Sequence, residues 1–111
     1  MMRVLVVEDE EMIRKGIVLA TDWQSLGCVV VGEAANGEEG LAAAERYNPN
    51  LIITDVRMPR MDGIEMMRRL REKESTAHFI ILTAYDEFDY ARAALRYGAA
   101  DYLLKPFRDQ D

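Results

Sequence analysis

Short, uninterrupted apolar runs recur along the 111-residue chain and are separated by longer segments with helical periodicity. Most of the runs are rich in Val, Ile or Leu and do not alternate with polar residues, which is typical of strands buried on both faces of a parallel sheet. Each intervening segment is long enough for one helix and two short loops. The pattern predicts five strands, at residues 4–7, 28–31, 51–53, 79–82 and 102–104.

The segments between these runs carry the signals of amphipathic helices. Ile13, Ile17 and Ala20 form one stripe in the first segment. Asn36 and Asp62 stand where the second and third helices should begin, as residue types that cap helix N-termini. A similar periodicity follows the fourth run. We therefore predict the element order β-α-β-α-β-α-β-α-β.

This order predicts a single α/β domain over residues 1–111. Right-handed crossovers between parallel strands favour an open, doubly wound sheet of flavodoxin-like order 2-1-3-4-5. The chain stops at Asp111, soon after the last run, so we expect a C-terminally truncated domain whose last helix is missing. Without that helix, alternate residues of the first, third and fourth strands should face water on the side of the first helix.

Composition narrows the class of protein. Half of the residues are hydrophobic, which argues against disorder, and the net charge of −6 disfavours a nucleic-acid or anionic membrane surface on this chain. The single cysteine, Cys28, excludes an internal disulfide and suits a reducing compartment. No apolar run approaches the roughly 20 residues of a membrane span. We expect a cytoplasmic location.

Residues with ionisable or hydroxyl side chains stand at the ends of four of the five runs. Glu8 and Asp9 follow the first run, and Asp55 follows the third, behind a threonine. Thr83 and Lys105 follow the fourth and fifth. The carboxyl ends of parallel strands meet at one edge of the sheet, where ligands of such folds bind. Each of these residues alone could be explained as an acid at a helix start, a turn residue or a surface charge. A single shared site explains all of them together.

The chemistry of this set points to phosphoryl transfer. Carboxylates packed together repel unless a cation neutralises them, and all-oxygen donors suit Mg²⁺. A carboxylate beside Mg²⁺ can attack phosphorus and form an acyl phosphate. The lysine and the threonine would then supply a countercharge and a hydroxyl donor to the phosphoryl group.

Four motifs resemble the receiver domain of two-component response regulators. They are VLVVED at 4–9, DVRMPRMDG at 55–63, TA at 83–84 and GAADYLLKPF at 98–107, and together they extend over most of the chain. The run YDEFDYA at 85–91 further resembles receivers that carry an AraC-type helix-turn-helix output domain.

The resemblance implies a role for each acidic residue. Asp55 would be the phospho-acceptor. Glu8 and Asp9 would hold Mg²⁺ together with Asp55 and the backbone carbonyl of Arg57. Glu8 stands where the family often has Asp, a tolerable change.

It also implies how the phosphoryl group is held and sensed. Lys105 and Thr83 would bind the group, and Tyr102 would be an aromatic switch that moves inward when Thr83 shifts. From their positions, two residues beyond Asp55 and Thr83 respectively, Arg57 and Tyr85 should overhang the phosphoryl group and slow its hydrolysis.

These roles imply a signalling switch and not an enzyme with turnover. A sensor histidine kinase or a small acyl phosphate would supply the phosphoryl group, and an output domain absent from this chain, a DNA-binding transcription regulator, would respond. The receiver itself would bind neither nucleic acid nor membrane, and phosphorylation would allow two copies to pair.

Three alternatives remain beside this interpretation. A receiver-like interaction module would need no phosphate, but retention of Asp55, Thr83 and Lys105 argues against it. An aspartyl-phosphate hydrolase of the haloacid dehalogenase type would carry its nucleophile on the first strand. A nucleotide or flavin binder would have a glycine-rich first turn, where this chain has four acids at 8–11.

Overall fold

Five parallel strands form the centre of the protein in a computed structural model that describes residues 1–83 and 99–104. The sheet has the order β2-β1-β3-β4-β5, which confirms the predicted doubly wound, flavodoxin-like arrangement. The strands are β1 (Met2–Val7), β2 (Cys28–Ala34), β3 (Leu51–Asp55), β4 (His78–Thr83) and β5 (Ala99–Leu104).

Three α-helices connect the strands within the described residues: α1 (Glu11–Ala20), α2 (Gly37–Tyr47) and α3 (Gly63–Glu72). The predicted caps are confirmed, because the side chain of Asn36 accepts a hydrogen bond from the Glu39 N–H at 2.9 Å, and Asp62 accepts one from the Glu65 N–H at 2.7 Å. The predicted fourth helix, and the prediction that no helix follows the fifth strand, fall outside the described residues.

All five strands are longer than their predicted apolar runs, and the two outermost strands, β2 and β5, are extended the most. β2 continues through Gly32 and Glu33 to Ala34, and β5 begins at Ala99 instead of Tyr102. β2 pairs with β1 alone and is therefore an edge strand of the sheet, where polar residues are tolerated. A prediction that ends a strand at its last consecutive apolar residue therefore makes an edge strand such as β2 too short.

The sheet separates two apolar layers. Alternate strand residues such as Leu5, Ile52 and Phe79 pack with Met66 and Met67 of α3. The other face carries a second cluster, in which the strand residues pack with residues of α1 and with Trp23; its members are Val4, Val6, Cys28, Ile53, Leu82, Ile17, Val18, Trp23, Val30, Leu51 and Ile80.

This second face is covered more fully than we expected. Val4, Val6 and Leu82 are at most 1% exposed, so the predicted water-exposed patch is wrong for them. Among the residues of β1, β3 and β4 on this face, Leu51 and Ile80 are half-buried. Trp23, which follows α1 along the chain, packs against the apolar cluster on this face. Its indole Nε1 donates to the Val18 carbonyl at 3.0 Å and folds the ring back onto the helix.

Candidate functional site

Three carboxylates meet at the carboxyl edge of the sheet. Glu8 and Asp9 directly follow β1, Asp55 ends β3, and these two strands are neighbours. One carboxylate oxygen from each residue lies within 4.8 Å of the others. Glu8 is fully buried and Asp55 is 4% exposed, whereas Asp9 is exposed. The acidic cluster (Glu8, Asp9 and Asp55) thus has two buried members and one member open to solvent.

Asp55 is held at both its side chain and its backbone. The Val56 N–H donates to Asp55 Oδ1 at 2.7 Å, and the Thr54 hydroxyl donates to the Asp55 carbonyl at 2.9 Å. A Cβ at Gly63 would lie 2.1 Å from that same carbonyl oxygen, so only glycine fits there. Thr54 was not predicted to be a site residue; the one available signal was a hydroxyl beside the acid.

The loop between β3 and α3 (residues 56–62) rests on the start of α2. Met61 O accepts a hydrogen bond from the Gly37 N–H at 2.9 Å, and a Cβ at Gly37 would lie 2.2 Å from that oxygen. Arg60 adopts a left-handed backbone with φ of 71°, while the side chain of Arg57 is exposed. The loop that follows Asp55 is therefore positioned by a second βα unit.

Arg14 of α1 connects the acidic cluster to the edge strand. Its Nη1 donates to the Glu8 carbonyl at 2.8 Å, and its Nε donates to Glu33 Oε1 at 3.2 Å. Lys15 also donates to Glu33, at 2.9 Å. Partial burial raises the pKa of Glu33, but the hydrogen bonds from Lys15 and Arg14 outweigh it and hold the pKa below 4.5. Neither Arg14 nor Glu33 was predicted from the sequence to belong to the site.

The donor set of the acidic cluster fits a hard cation. Three carboxylates this close repel one another when ionised, and a divalent cation relieves that repulsion. The three residues supply oxygen donors only, and Asp9 leaves one side open to water. Mg²⁺ prefers oxygen ligands and retains several of its waters, so the acidic cluster suits it.

Of the remaining predicted site residues, the structure describes the backbone of Thr83 and Tyr102. Thr83 ends β4, next to Leu82, the register partner of Asp55. Leu104 pairs with Thr83 and ends β5, so Lys105 is the next residue along the chain. Tyr102 lies in β5 opposite Ile81. The side chains of Thr83 and Tyr102, and the whole of Lys105 and Tyr85, fall outside the described residues.

Comparison with known proteins agrees with this geometry. A profile of the response regulator receiver domain matches residues 4–111. The chain is 38% identical over 110 residues to a transcriptional regulatory protein of Bacillus subtilis, YesN, covering 99% of this chain and 30% of that protein. The chain thus spans less than a third of the length of that relative.

Two solved structures show the same fold. The receiver domain of the response regulator AraT from Geobacillus stearothermophilus has a TM-score of 0.91 and is 44% identical, covering 98% of this chain and 84% of that chain. The structure of a CheX–CheY–BeF₃–Mg²⁺ complex from Borrelia burgdorferi has a TM-score of 0.83 and is 27% identical, covering 96% and 80%.

The family is a signalling one and not a class of conventional enzymes, and its members generally bind Mg²⁺. No helix among the described residues is long and apolar enough to cross a membrane. The fold, the acidic cluster and the match over residues 4–111 together show that the chain belongs to the receiver domain family of two-component response regulators.

Proposed function

We propose that Asp55 accepts a phosphoryl group in a Mg²⁺-dependent reaction and that this modification switches the domain between two signalling states. The observation that carries the proposal is the convergence of three carboxylates within 4.8 Å at the ends of β1 and β3. Asp55 is the proposed acceptor because the segment at 55–63 resembles the receiver-family motif that begins with the phospho-acceptor. It ends β3, beside Glu8 and Asp9, which follow β1.

The reaction is a displacement at phosphorus. A carboxylate oxygen of Asp55 forms a bond to the phosphorus of a phosphohistidine or a small acyl phosphate. The bond from phosphorus to the donor nitrogen or oxygen breaks, and its electron pair leaves with the donor. Glu8, Asp9, Asp55 and the Arg57 carbonyl are the groups that would hold Mg²⁺, and the ion would neutralise charge on the phosphoryl oxygens when bound.

Lys105 and Thr83 are the proposed partners of the new phosphoryl group. An ammonium and a hydroxyl are the donors that such a group requires. Their support is positional: Thr83 ends β4 beside the strand of Asp55, and residue 105 follows the end of β5. Movement of Thr83 toward the phosphoryl group would leave space for Tyr102 to move inward. The proposed switch is therefore this pair of residues on the neighbouring strands β4 and β5.

The proposed shields of the phosphoryl group are Arg57 and Tyr85. Water must approach phosphorus opposite the leaving oxygen, so side chains that overhang the group slow hydrolysis. The Arg57 side chain is exposed and begins two residues beyond Asp55, and both observations support a position at the rim of the site. The double variant Arg57→Asn with Tyr85→Ala should lose its phosphate faster than the parent; an equal rate would exclude the shields.

The relatives support a proposal for the wider role of the chain. YesN is a transcriptional regulatory protein of which this chain matches 30%. We infer that residues 1–111 form the receiver part of a similar cytoplasmic regulator, phosphorylated by a sensor histidine kinase and controlling a DNA-binding output domain. Phosphorylation-dependent pairing of two receivers is part of this proposal.

The proposal is tested by the mass of the intact chain after incubation with acetyl phosphate. The parent should gain one phosphoryl unit in Mg²⁺ and none in chelator, and Asp55→Asn should gain none. Asp62→Asn is the matched control, because it removes an acid from the same loop but retains a side chain that can cap α3. Labelling of Asp55→Asn to the parental extent would contradict the proposal and leave the phosphate-independent interaction module as the better account.

A further inference from the structure

Arg14 stands out because it is a basic side chain that is hydrogen-bonded to the backbone of the acidic cluster. It lies in the first turns of α1, and its side chain is only 14% exposed. The Nη1–H donates to the carbonyl of Glu8 at 2.8 Å, while Nε–H donates to Glu33 of β2 at 3.2 Å. The planar guanidinium is thereby held at two points with fixed relative geometry.

The contacted carbonyl belongs to the peptide that joins Glu8 to Asp9. The Glu8 N–H is still bonded to Ala34 O at 3.0 Å, at the end of the β1–β2 ladder, whereas Asp9 has left the sheet and is exposed. Because a peptide unit is planar, fixing the Glu8 carbonyl also fixes the direction in which the chain enters Asp9. Arg14 therefore contacts the peptide between Glu8, the buried member of the cluster, and Asp9, the exposed member.

We propose that Arg14, clamped by Glu33, is a positioning residue that sets the Asp9 carboxylate for metal binding. It does not touch the cation; it acts through the Glu8–Asp9 peptide. The inference rests on the proposed function, since it takes the acidic cluster to be a Mg²⁺ site. Groups outside the ligand shell that orient ligands commonly affect metal affinity by about 10-fold to 100-fold.

The sign of the effect separates positioning from simple electrostatics. A guanidinium bound to the cluster's own backbone repels a cation, so removal of its charge alone would leave Mg²⁺ affinity unchanged or strengthen it. Loss of positioning weakens Mg²⁺ affinity instead. The two explanations therefore predict different Mg²⁺ affinities for the same variant. Charge alone predicts no loss of affinity, whereas positioning predicts a loss.

Lys15 provides the matched control. It is adjacent in sequence, carries the same charge and donates to the same Glu33, at 2.9 Å, but it does not donate to the Glu8 carbonyl. Arg14→Met and Lys15→Met therefore change the net charge equally and remove one partner each from Glu33. Only the first removes the contact to the Glu8–Asp9 peptide.

The test is isothermal titration of Mg²⁺ into the parent, Arg14→Met and Lys15→Met, with thermal melts in chelator to compare the metal-free folds. We expect Arg14→Met to bind Mg²⁺ about tenfold more weakly than the parent, and Lys15→Met to remain within about twofold, with Arg14→Lys recovering part of the loss. If the methionine variant does not fold, Arg14→Gln replaces it with the same expected loss.

The outcomes are distinct. A folded Arg14→Met or Arg14→Gln that binds Mg²⁺ as tightly as the parent, or more tightly, overturns the positioning role and leaves the metal site intact. Equal weakening in Lys15→Met assigns the effect to the loss of a partner from Glu33 and also overturns the positioning role. A parent chain that binds no Mg²⁺ overturns the proposed function and this inference together.

Discussion

At the scale of single residues, the site depends on close backbone contacts as much as on its acids. Gly63 begins α3 directly against the Asp55 carbonyl, at a spacing that no side chain tolerates. This glycine is not in a left-handed conformation, so its importance comes from space and not from backbone freedom. The backbones of β3 and α3 are therefore in contact at Asp55, the proposed phospho-acceptor.

We predict that Gly63→Ala lowers the free energy of unfolding by about 1–3 kcal/mol, because the new Cβ must displace the backbone at Asp55. Gly16→Ala is the control: a Cβ added at this position within α1 would meet no atom within 4 Å, so the variant should be more stable by about 0.5–1 kcal/mol. Urea denaturation followed by Trp23 fluorescence measures both. A Gly63→Ala chain as stable as the parent would show that α3 can shift without cost.

At the scale of elements, α3 combines an N-terminal cap with charge pairs along its exposed side. Glu65, in the first turn, accepts hydrogen bonds from Arg68 and Arg69 one turn later. Those hydrogen bonds, from Arg68 first and Arg69 second, lower the pKa of Glu65 from 4.5 to about 2. Spacing of three and four residues along a helix makes such pairs visible in the sequence.

The lowered pKa gives stability a defined pH dependence. A carboxyl whose pKa falls on folding contributes stability that is fully present above about 4.5 and is lost as the pH falls toward about 2. Urea melts should therefore show an advantage of the parent over Glu65→Gln that is constant above about pH 5 and shrinks as the pH falls toward about 2. In a chain carrying Arg68→Gln and Arg69→Gln, the same comparison should lose this pH dependence; its persistence would assign the effect to another group.

At the scale of the whole molecule, the sheet order and the acid convergence were predictable because both follow from chain order. Continuous apolar runs identify buried strands, right-handed crossovers arrange them, and parallel strands bring Glu8, Asp9 and Asp55 to one edge. The extra length of β2 was not predictable from continuous burial, since that strand lies at the edge of the sheet. Nor was the Arg14–Glu8 contact, because it depends on side-chain reach between elements.

Reductive trapping would show whether Asp55 carries the phosphoryl group. Borohydride reduces an acyl phosphate to the corresponding alcohol, which would convert a phosphorylated Asp55 to homoserine and release phosphate. After treatment with acetyl phosphate and Mg²⁺, peptide mass spectrometry should locate homoserine at position 55, and chelator should abolish it. Homoserine at another aspartate, or at position 55 regardless of Mg²⁺, would contradict the account.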